Sequence, residues 1–147
     1  MARVLAIAIA LASVVLPLHA QELVRGVRSK ISAGDLATPL AMAEDFKRAN
    51  GVTDEYLSAI GWIARGAEML GRIDLAREAV RELQREIPEE RESTLTPYGA
   101  AIEVEGRILL REQGRGAAIR YFEQKLAGAK APSLRSRIRK NLDLLTI

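Results

Sequence analysis

The sequence predicts an all-α protein made of three antiparallel helical hairpins and a C-terminal capping helix, preceded by a signal peptide. Two observations support this fold class. Apolar residues recur at intervals of three and four between residues 22 and 145, and no segment alternates apolar and polar residues as a strand would. Glycine and proline also divide this part of the chain into seven short segments, which gives consecutive helices short connections.

The first three predicted helices carry stripes of apolar side chains. These stripes consist of Leu23, Val27 and Ile31 in the first helix, Leu40, Ala43 and Phe46 in the second, and Tyr56, Ile60, Ile63, Ala67 and Leu70 in the third. Thr38 and Thr53 are the predicted N-caps of the second and third helices. Trp62 and Met69 form a second stripe on the third helix, so this helix should pack on two sides and largely bury Trp62.

The remaining four helices follow the same pattern. Their apolar positions are Ala76, Val80, Leu83 and Ile87; Ile102, Ile108, Leu109 and Leu110; Ile119, Phe122, Leu126 and Ala129; and Leu134, Ile138, Leu142 and Leu145. Pro88 stops the fourth helix, and residues 88 to 96 form a charged connection. Thr96 and Ser133 are the predicted N-caps of the fifth and seventh helices.

The first 20 residues have the profile of a cleavable signal peptide. Arg3 supplies a positive charge, an uncharged and mostly apolar run extends from Val4 to Leu16, and Ala20 is a small residue before the expected cut. The run is shorter than the roughly 20 residues that a membrane-spanning helix needs. We therefore expect residues 21–147 to form one periplasmic or secreted domain with no stable membrane span after cleavage.

The composition excludes several kinds of enzyme. The chain has no cysteine, and its one histidine, His19, lies in the predicted signal peptide. A Ser-His-Asp or Cys-His site, thiol redox chemistry and a zinc site of His or Cys are thus excluded from the mature chain. Glu103 and Glu105 are the closest pair of acids, but they point to different sides of a helix and are interpreted as solvated charges. We predict no catalytic residue, no metal and no cofactor.

The charge pattern favours a protein partner over nucleic acid. The formal net charge is +3, and the basic residues are interspersed with glutamates along the helices. This arrangement is typical of solvated helix faces, whereas a nucleic-acid binder usually concentrates its basic residues on one surface. The expected partner is a protein or a peptide.

A weak internal repeat underlies the predicted hairpins. Gly34, Gly71 and Gly114 lie between paired helices, and each precedes a large apolar residue by twelve positions: Phe46, Leu83 and Leu126. The same interval relates Ala64, Ala76 and Pro88, and also Gly106 and Ala118. These positions, with Ala118-Ile119-Arg120-Tyr121-Phe122, resemble the tetratricopeptide repeat over residues 22 to 145. The resemblance implies a right-handed array of hairpins that binds proteins.

Several segments also resemble the helical module that precedes thioredoxin-like domains in some exported bacterial proteins. They are Ala33-Gly34-Asp35-Leu36, Gly51-Val52-Thr53-Asp54-Glu55-Tyr56-Leu57, Gly99-Ala100-Ala101-Ile102-Glu103-Val104 and Arg137-Ile138-Arg139-Lys140-Asn141-Leu142. The leading hypothesis is an exported, non-enzymatic interaction or scaffold module. The alternative is the N-terminal accessory part of an exported thioredoxin-like oxidoreductase whose catalytic domain is absent from this chain.

Tetratricopeptide-like geometry would place the first helices of successive hairpins along one concave surface. The candidate partner-binding residues on that surface are Arg65, Glu68, Glu103, Arg107 and Arg111. These arginines are candidates for pairing with carboxylates of a partner. The alternative is that the same arginines and glutamates pair with one another.

The last predicted helix carries a basic cluster of Arg135, Arg137, Arg139 and Lys140. A basic amphipathic helix is able to bind anionic lipid. A repeat array, however, needs a terminal helix with a polar outer side, which explains the same pattern. We favour the capping role.

Overall fold

The computed structural model describes residues 20–92 and 95–147, which form helices and contain no strand. The α-helices are α1 (Ala20–Ser32), α2 (Ala37–Asn50), α3 (Asp54–Met69), α4 (Ile73–Glu86), α5 (Thr96–Gln113), α6 (Arg115–Gly128) and α7 (Pro132–Thr146). A short 3-10 helix, Glu89–Arg91, follows α4. The all-α prediction is confirmed. The predicted signal peptide lies outside the described residues except for Ala20, the first residue of α1.

The N-caps were predicted less well than the helices. Thr53 caps α3 as predicted, since its hydroxyl accepts a hydrogen bond of 3.2 Å from the Tyr56 backbone N–H. In contrast, α2 begins one residue before Thr38, and the Thr38 N–H donates to the Asp35 carboxylate at 3.0 Å. Helices α5 and α7 begin at Thr96 and Pro132, so Thr96 and Ser133 lie inside the first turn and not at the cap.

Glycine ends the helices where the chain reverses direction. Gly34, Gly71 and Gly114 have φ of +80°, +74° and +87°. Side chains with a Cβ rarely adopt this left-handed backbone conformation, so glycine is favoured at these turns. This explains why the three glycines mark the predicted repeat.

Helices α3 and α5 form the centre of the molecule. Helix α3 packs against α1, α2, α4 and α5, and α5 packs against α3, α4, α6 and α7. Helices α1, α3, α5 and α7 are therefore in contact one after another. Helices α1 and α5 do not touch, which leaves a gap above the exposed side of α3.

The apolar side chains divide into two clusters. The larger joins α1 to α5 and includes the fully buried Val27, Ile63 and Leu83. The smaller joins α5, α6 and α7 and includes Phe122 and Ile138. Most of the predicted stripes thus face the interior.

Two apolar positions at the end of α3 were predicted wrongly. Leu70 is 46% exposed and Met69 is 71% exposed. Helix α3 ends at Met69 and the chain turns at Gly71, so these side chains project beyond the packed part of the helix.

Close approach between helices depends on small residues. A Cβ on Gly106 would overlap the ring of Phe122, and a Cβ on Gly66 would lie 2.5 Å from Ile31 Cγ2. Ala64, Ala76 and Ala118 are fully buried. Small side chains therefore let α1 approach α3 and let α5 approach α6.

Candidate functional site: the arginine-lined face

The five candidate partner-binding residues that were predicted from the sequence lie close together in the structure. Arg65 and Glu68 lie on α3, and Glu103, Arg107 and Arg111 lie on the adjoining side of α5. Because α3 and α5 pack side by side, the glutamates of one helix reach the arginines of the other. The five residues and Arg137, which joins them from α7, are called the arginine cluster below.

Glu68 is the first centre of the arginine cluster. The residue is only 4% exposed. Its Oε1 accepts hydrogen bonds from Arg111 Nη2 at 2.9 Å and from Arg111 Nε at 3.1 Å, and its Oε2 lies 3.5 Å from Arg107 Nη1. A buried carboxylate is stable when its charge is paired and hydrogen-bonded in this way.

Glu103 is the second centre, and the interpretation of this residue as a solvated charge is wrong. Glu103 is 7% exposed because α5 is covered on several sides by its neighbours. Its Oε1 lies 3.1 Å from Arg107 Nη2 and 3.7 Å from Arg65 Nε, and its Oε2 accepts a hydrogen bond of 3.2 Å from Arg137 Nε. The carboxylate thus joins α3, α5 and α7.

Glu105 faces away from Glu103, as the two-residue spacing predicts. It is half-buried and not fully solvated. Its Oε2 accepts hydrogen bonds from the Tyr121 hydroxyl at 2.8 Å and from Gln84 Nε2 at 3.1 Å. Burial, together with the charge of Glu105 and the hydrogen bond to it, raises the pKa of Tyr121. Glu105 therefore links α5 to α4 and α6 and is not part of the arginine cluster.

Arg137 was not predicted to belong to this site. Its Nε donates to Glu103, and its Nη1 donates to the Thr96 carbonyl at 3.2 Å. Gly99 provides the room, since a Cβ there would lie 3.0 Å from Arg137 Cδ. A glycine one helical turn before a glutamate was the available signal that a long side chain approaches there.

The basic cluster of α7 is partly used inside the protein. Arg135 Nη1 donates to the carbonyls of Leu126 and Ala129, both at 2.9 Å, where α6 ends. These bonds satisfy carbonyls that a helix end leaves without partners. Arg139 and Lys140 are exposed. The contacts of Arg135 and Arg137 fit the capping role favoured from the sequence.

Trp62 lies at the edge of the arginine cluster, and the prediction that it is largely buried is confirmed in part, since it packs against the larger apolar cluster but keeps an exposed side. It is half-buried, with the guanidinium carbons of Arg28 and Arg65 4.3 Å and 5.2 Å from its ring centroid. The cause is the gap between α1 and α5, which leaves this side of α3 uncovered. The two arginines stack on the indole by cation–π attraction.

Two cavities open beside Trp62. One, of about 380 Å³, is lined by Ser58, Gly61, Trp62, Arg65, Thr96, Pro97, Ala100 and Arg137. The other, of about 720 Å³, is lined by Val24, Arg25, Arg28, Ser29, Ser32, Ser58, Trp62 and Thr96. The two share Ser58, Trp62 and Thr96, so they adjoin on one face of the protein, and together they are called the Trp62 groove below.

The chemistry of this face suits binding. Guanidinium groups carry a permanent charge and donate several hydrogen bonds, but they do not exchange protons near neutral pH. Residues 20–92 and 95–147 contain no group of three or more side chains arranged to hold a metal. Within the same ranges, no helix combines the length and the apolar character needed to cross a bilayer.

No protein-family model matches the chain, and no curated protein or solved structure is significantly similar to it.

Proposed function

We propose that the protein is an exported, non-enzymatic interaction module of tetratricopeptide-like type. Its partner, a protein or peptide, binds to the face formed by α1, α3, α5 and α7. The observation that carries this proposal is the Trp62 groove, an open cleft on that face lined by arginine side chains. Clefts of several hundred Å³ that combine apolar walls with a few polar donors are typical of binding sites.

The packing order of the helices supports the tetratricopeptide-like part of the proposal. Helices α2, α4 and α6 each pack both on the helix before them and on the helix after them. Helices α1, α3, α5 and α7 follow one another along one side. Stacked helix pairs of this kind create the extended concave surfaces that repeat proteins use for binding.

Export is proposed from the first 20 residues alone. Cleavage after Ala20 would make Gln21 the first residue, inside the first turn of α1. Intact-mass measurement of the protein released by an exporting host tests this point, and the expected product begins at Gln21. Retention of residues 1–20 on the purified protein would contradict it.

Site-specific photo-crosslinking tests the location of the binding face. We would place a photoreactive amino acid at Ser58, which lines both cavities, and in a matched variant at Glu123, an exposed residue of α6. The expected result in the native host is a discrete crosslinked partner from position 58 and none from position 123. Equal crosslinking from both positions, or none from position 58, would overturn the proposed face.

A further inference from the structure

The Trp62 groove carries positive charge that the protein neutralises only in part, through the pairing of Arg65 and Arg137 with Glu103. Arg25, Arg28, Arg65 and Arg137 line it, and no acidic residue does. The groove beside α2 and α4 differs, since Glu44, Glu78 and Glu82 there balance Lys47, Arg81 and Arg85. The charge of the Trp62 groove is complementary to an anionic ligand.

Two arginines of the groove, Arg28 and Arg65, have donors without a hydrogen-bond acceptor among the described residues. Arg28 forms no hydrogen bond or ion pair with any described residue and is held only by its stacking on Trp62. The Nε of Arg65 is buried without a hydrogen-bond partner, at 3.7 Å from Glu103 Oε1. The Arg28 guanidinium is exposed, so a carboxylate of a ligand has direct access to its donors.

Trp62 fixes the arginines before any ligand arrives. The indole holds the Arg28 guanidinium at 4.3 Å from its centroid and the Arg65 guanidinium at 5.2 Å. A charged group that is already oriented loses less conformational entropy on binding than a freely rotating one. The guanidinium groups are therefore both positively charged and already oriented for ligand binding.

The arginines are divided between the two cavities that Trp62 lines. Arg25 and Arg28 of α1 line the larger cavity, whereas Arg65 and Arg137 line the smaller one beside α5 and α7. The smaller cavity also has an apolar wall of Gly61, Pro97 and Ala100. One small anion would reach a single cavity, but an extended chain with separated charges would reach both.

We infer that the Trp62 groove binds an extended acidic segment of a protein partner, with carboxylates in both cavities and an apolar side chain between them. This inference rests on the proposed function. Arg65 and Arg137 already share the charge of Glu103, so they suit singly charged carboxylates better than a dense row of phosphates.

Binding of a synthetic peptide to the purified chain tests the inference. The probe has two glutamates on each side of a central leucine, and its control has glutamine in place of every glutamate. Trp62 is the only tryptophan of the chain, so its fluorescence reports directly on the groove. We expect the acidic peptide to change this fluorescence and to bind about tenfold or more tightly than the glutamine peptide, with an affinity that falls as salt is raised.

Two variants locate the binding. Arg28→Gln changes an exposed side chain and should not disturb folding, and Arg120→Gln changes an exposed arginine of α6 outside the groove. We expect Arg28→Gln to weaken acidic-peptide binding about tenfold, which corresponds to about 1.4 kcal/mol. Arg120→Gln should leave it unchanged. Equal weakening by the two variants would show general charge attraction and would overturn the inference.

The outcomes also separate the inference from the proposed function. If the glutamine peptide binds as well as the acidic one, or if a single-stranded oligonucleotide binds more tightly than either, the acidic-segment inference is wrong. Crosslinking from position 58 would then still support a protein partner on this face. Acidic-peptide binding without any crosslinked partner would instead count against the proposed function and leave the chemistry of the groove intact.

Discussion

At the scale of single residues, Glu68 and Glu103 explain how charged side chains are buried between helices. Each carboxylate is surrounded by arginines whose stems lie on the packed face while their guanidinium groups reach solvent. Arg107 contacts both glutamates, and Arg137 connects α7 to Glu103. Removing one glutamate would leave several positive charges close together, so the cluster acts as a unit.

The first prediction concerns Glu103→Gln. The variant keeps the shape of the side chain but removes the charge that Arg107 and Arg137 share. We therefore expect the free energy of unfolding to fall by roughly 1 to 3 kcal/mol. Urea unfolding followed by circular dichroism measures the change. The control is Glu112→Gln, whose 44% exposed side chain pairs with Arg77; exposed pairs contribute less than about 1 kcal/mol. Equal losses in both variants would contradict the prediction.

Glu82 forms a partly buried ionic contact between α2, α3 and α4. Burial alone would raise its pKa, but the Lys47 ammonium at 2.6 Å, the Tyr56 hydroxyl at 2.7 Å and Arg85 outweigh burial and lower the pKa to about 2. Burial, together with the hydrogen bond to Glu82 and its negative charge, raises the pKa of Tyr56 to about 12, although Lys47 acts in the opposite direction. The ionised form of Glu82 is therefore the one that stabilises the fold.

The second prediction is the pH dependence of this contact. The pKa of Glu82 is lower in the folded chain than the ordinary value of 4.5, so its stabilisation is complete above that value and is lost as the pH falls from 4.5 towards 2. We expect Glu82→Gln to cost on the order of 2 kcal/mol near neutral pH and progressively less in acid. Tyr56→Phe removes one hydrogen-bond donor to Glu82 and so raises the pKa of this carboxyl. The loss of stability in acid should therefore be complete at a higher pH. A cost that does not change between pH 6 and pH 2 would contradict this.

At the scale of the helices, the spacing of apolar residues sufficed to predict each element because a helix face is a local property. The N-caps were harder, since a small shift of the helix start changes which side chain reaches the free N–H groups: α2 begins at Ala37, and Asp35 accepts the hydrogen bond from the Thr38 N–H. The exposure of Trp62 depends on the gap between α1 and α5, which are distant in sequence. Arg28 and Arg137 reach the site through contacts between different helices, so no local pattern marks them.

The third prediction tests the close approach of α5 and α6. Gly106→Ala would place a Cβ against the ring of Phe122, a residue only 2% exposed, so we expect a loss of roughly 1 to 3 kcal/mol in the free energy of unfolding. Gly61→Ala is the matched control, because a Cβ there meets its nearest atoms at 3.6 Å, an ordinary contact distance. Alanine has the higher helix propensity, so this variant should be neutral or stabilised by up to about 1 kcal/mol. Similar losses for both would exclude the Phe122 overlap as the cause.

At the scale of the whole molecule, ionic contacts join helices that are separate in the sequence. Glu68 and Glu103 join α3 to α5, and Glu103 also joins α5 to α7. Lys47 joins α2 to α4 through Glu82 and Glu86. Arg65 and Arg137, which pair with Glu103, also line the Trp62 groove, so two of the residues that join the helices also form part of the proposed binding face.

The fourth prediction separates binding from redox chemistry in the isolated chain. Thiol–disulfide exchange requires a thiolate that attacks a disulfide sulfur, and this chain contains no cysteine. We therefore expect insulin disulfides to be reduced no faster with the purified 147-residue protein than in a control without protein. Thioredoxin, the positive control, should reduce them faster in the same assay. If the chain is the accessory part of a thioredoxin-like oxidoreductase, its contribution has to come from binding, and the same null result is expected. Reduction above the control that persists through further purification would overturn the non-enzymatic proposal.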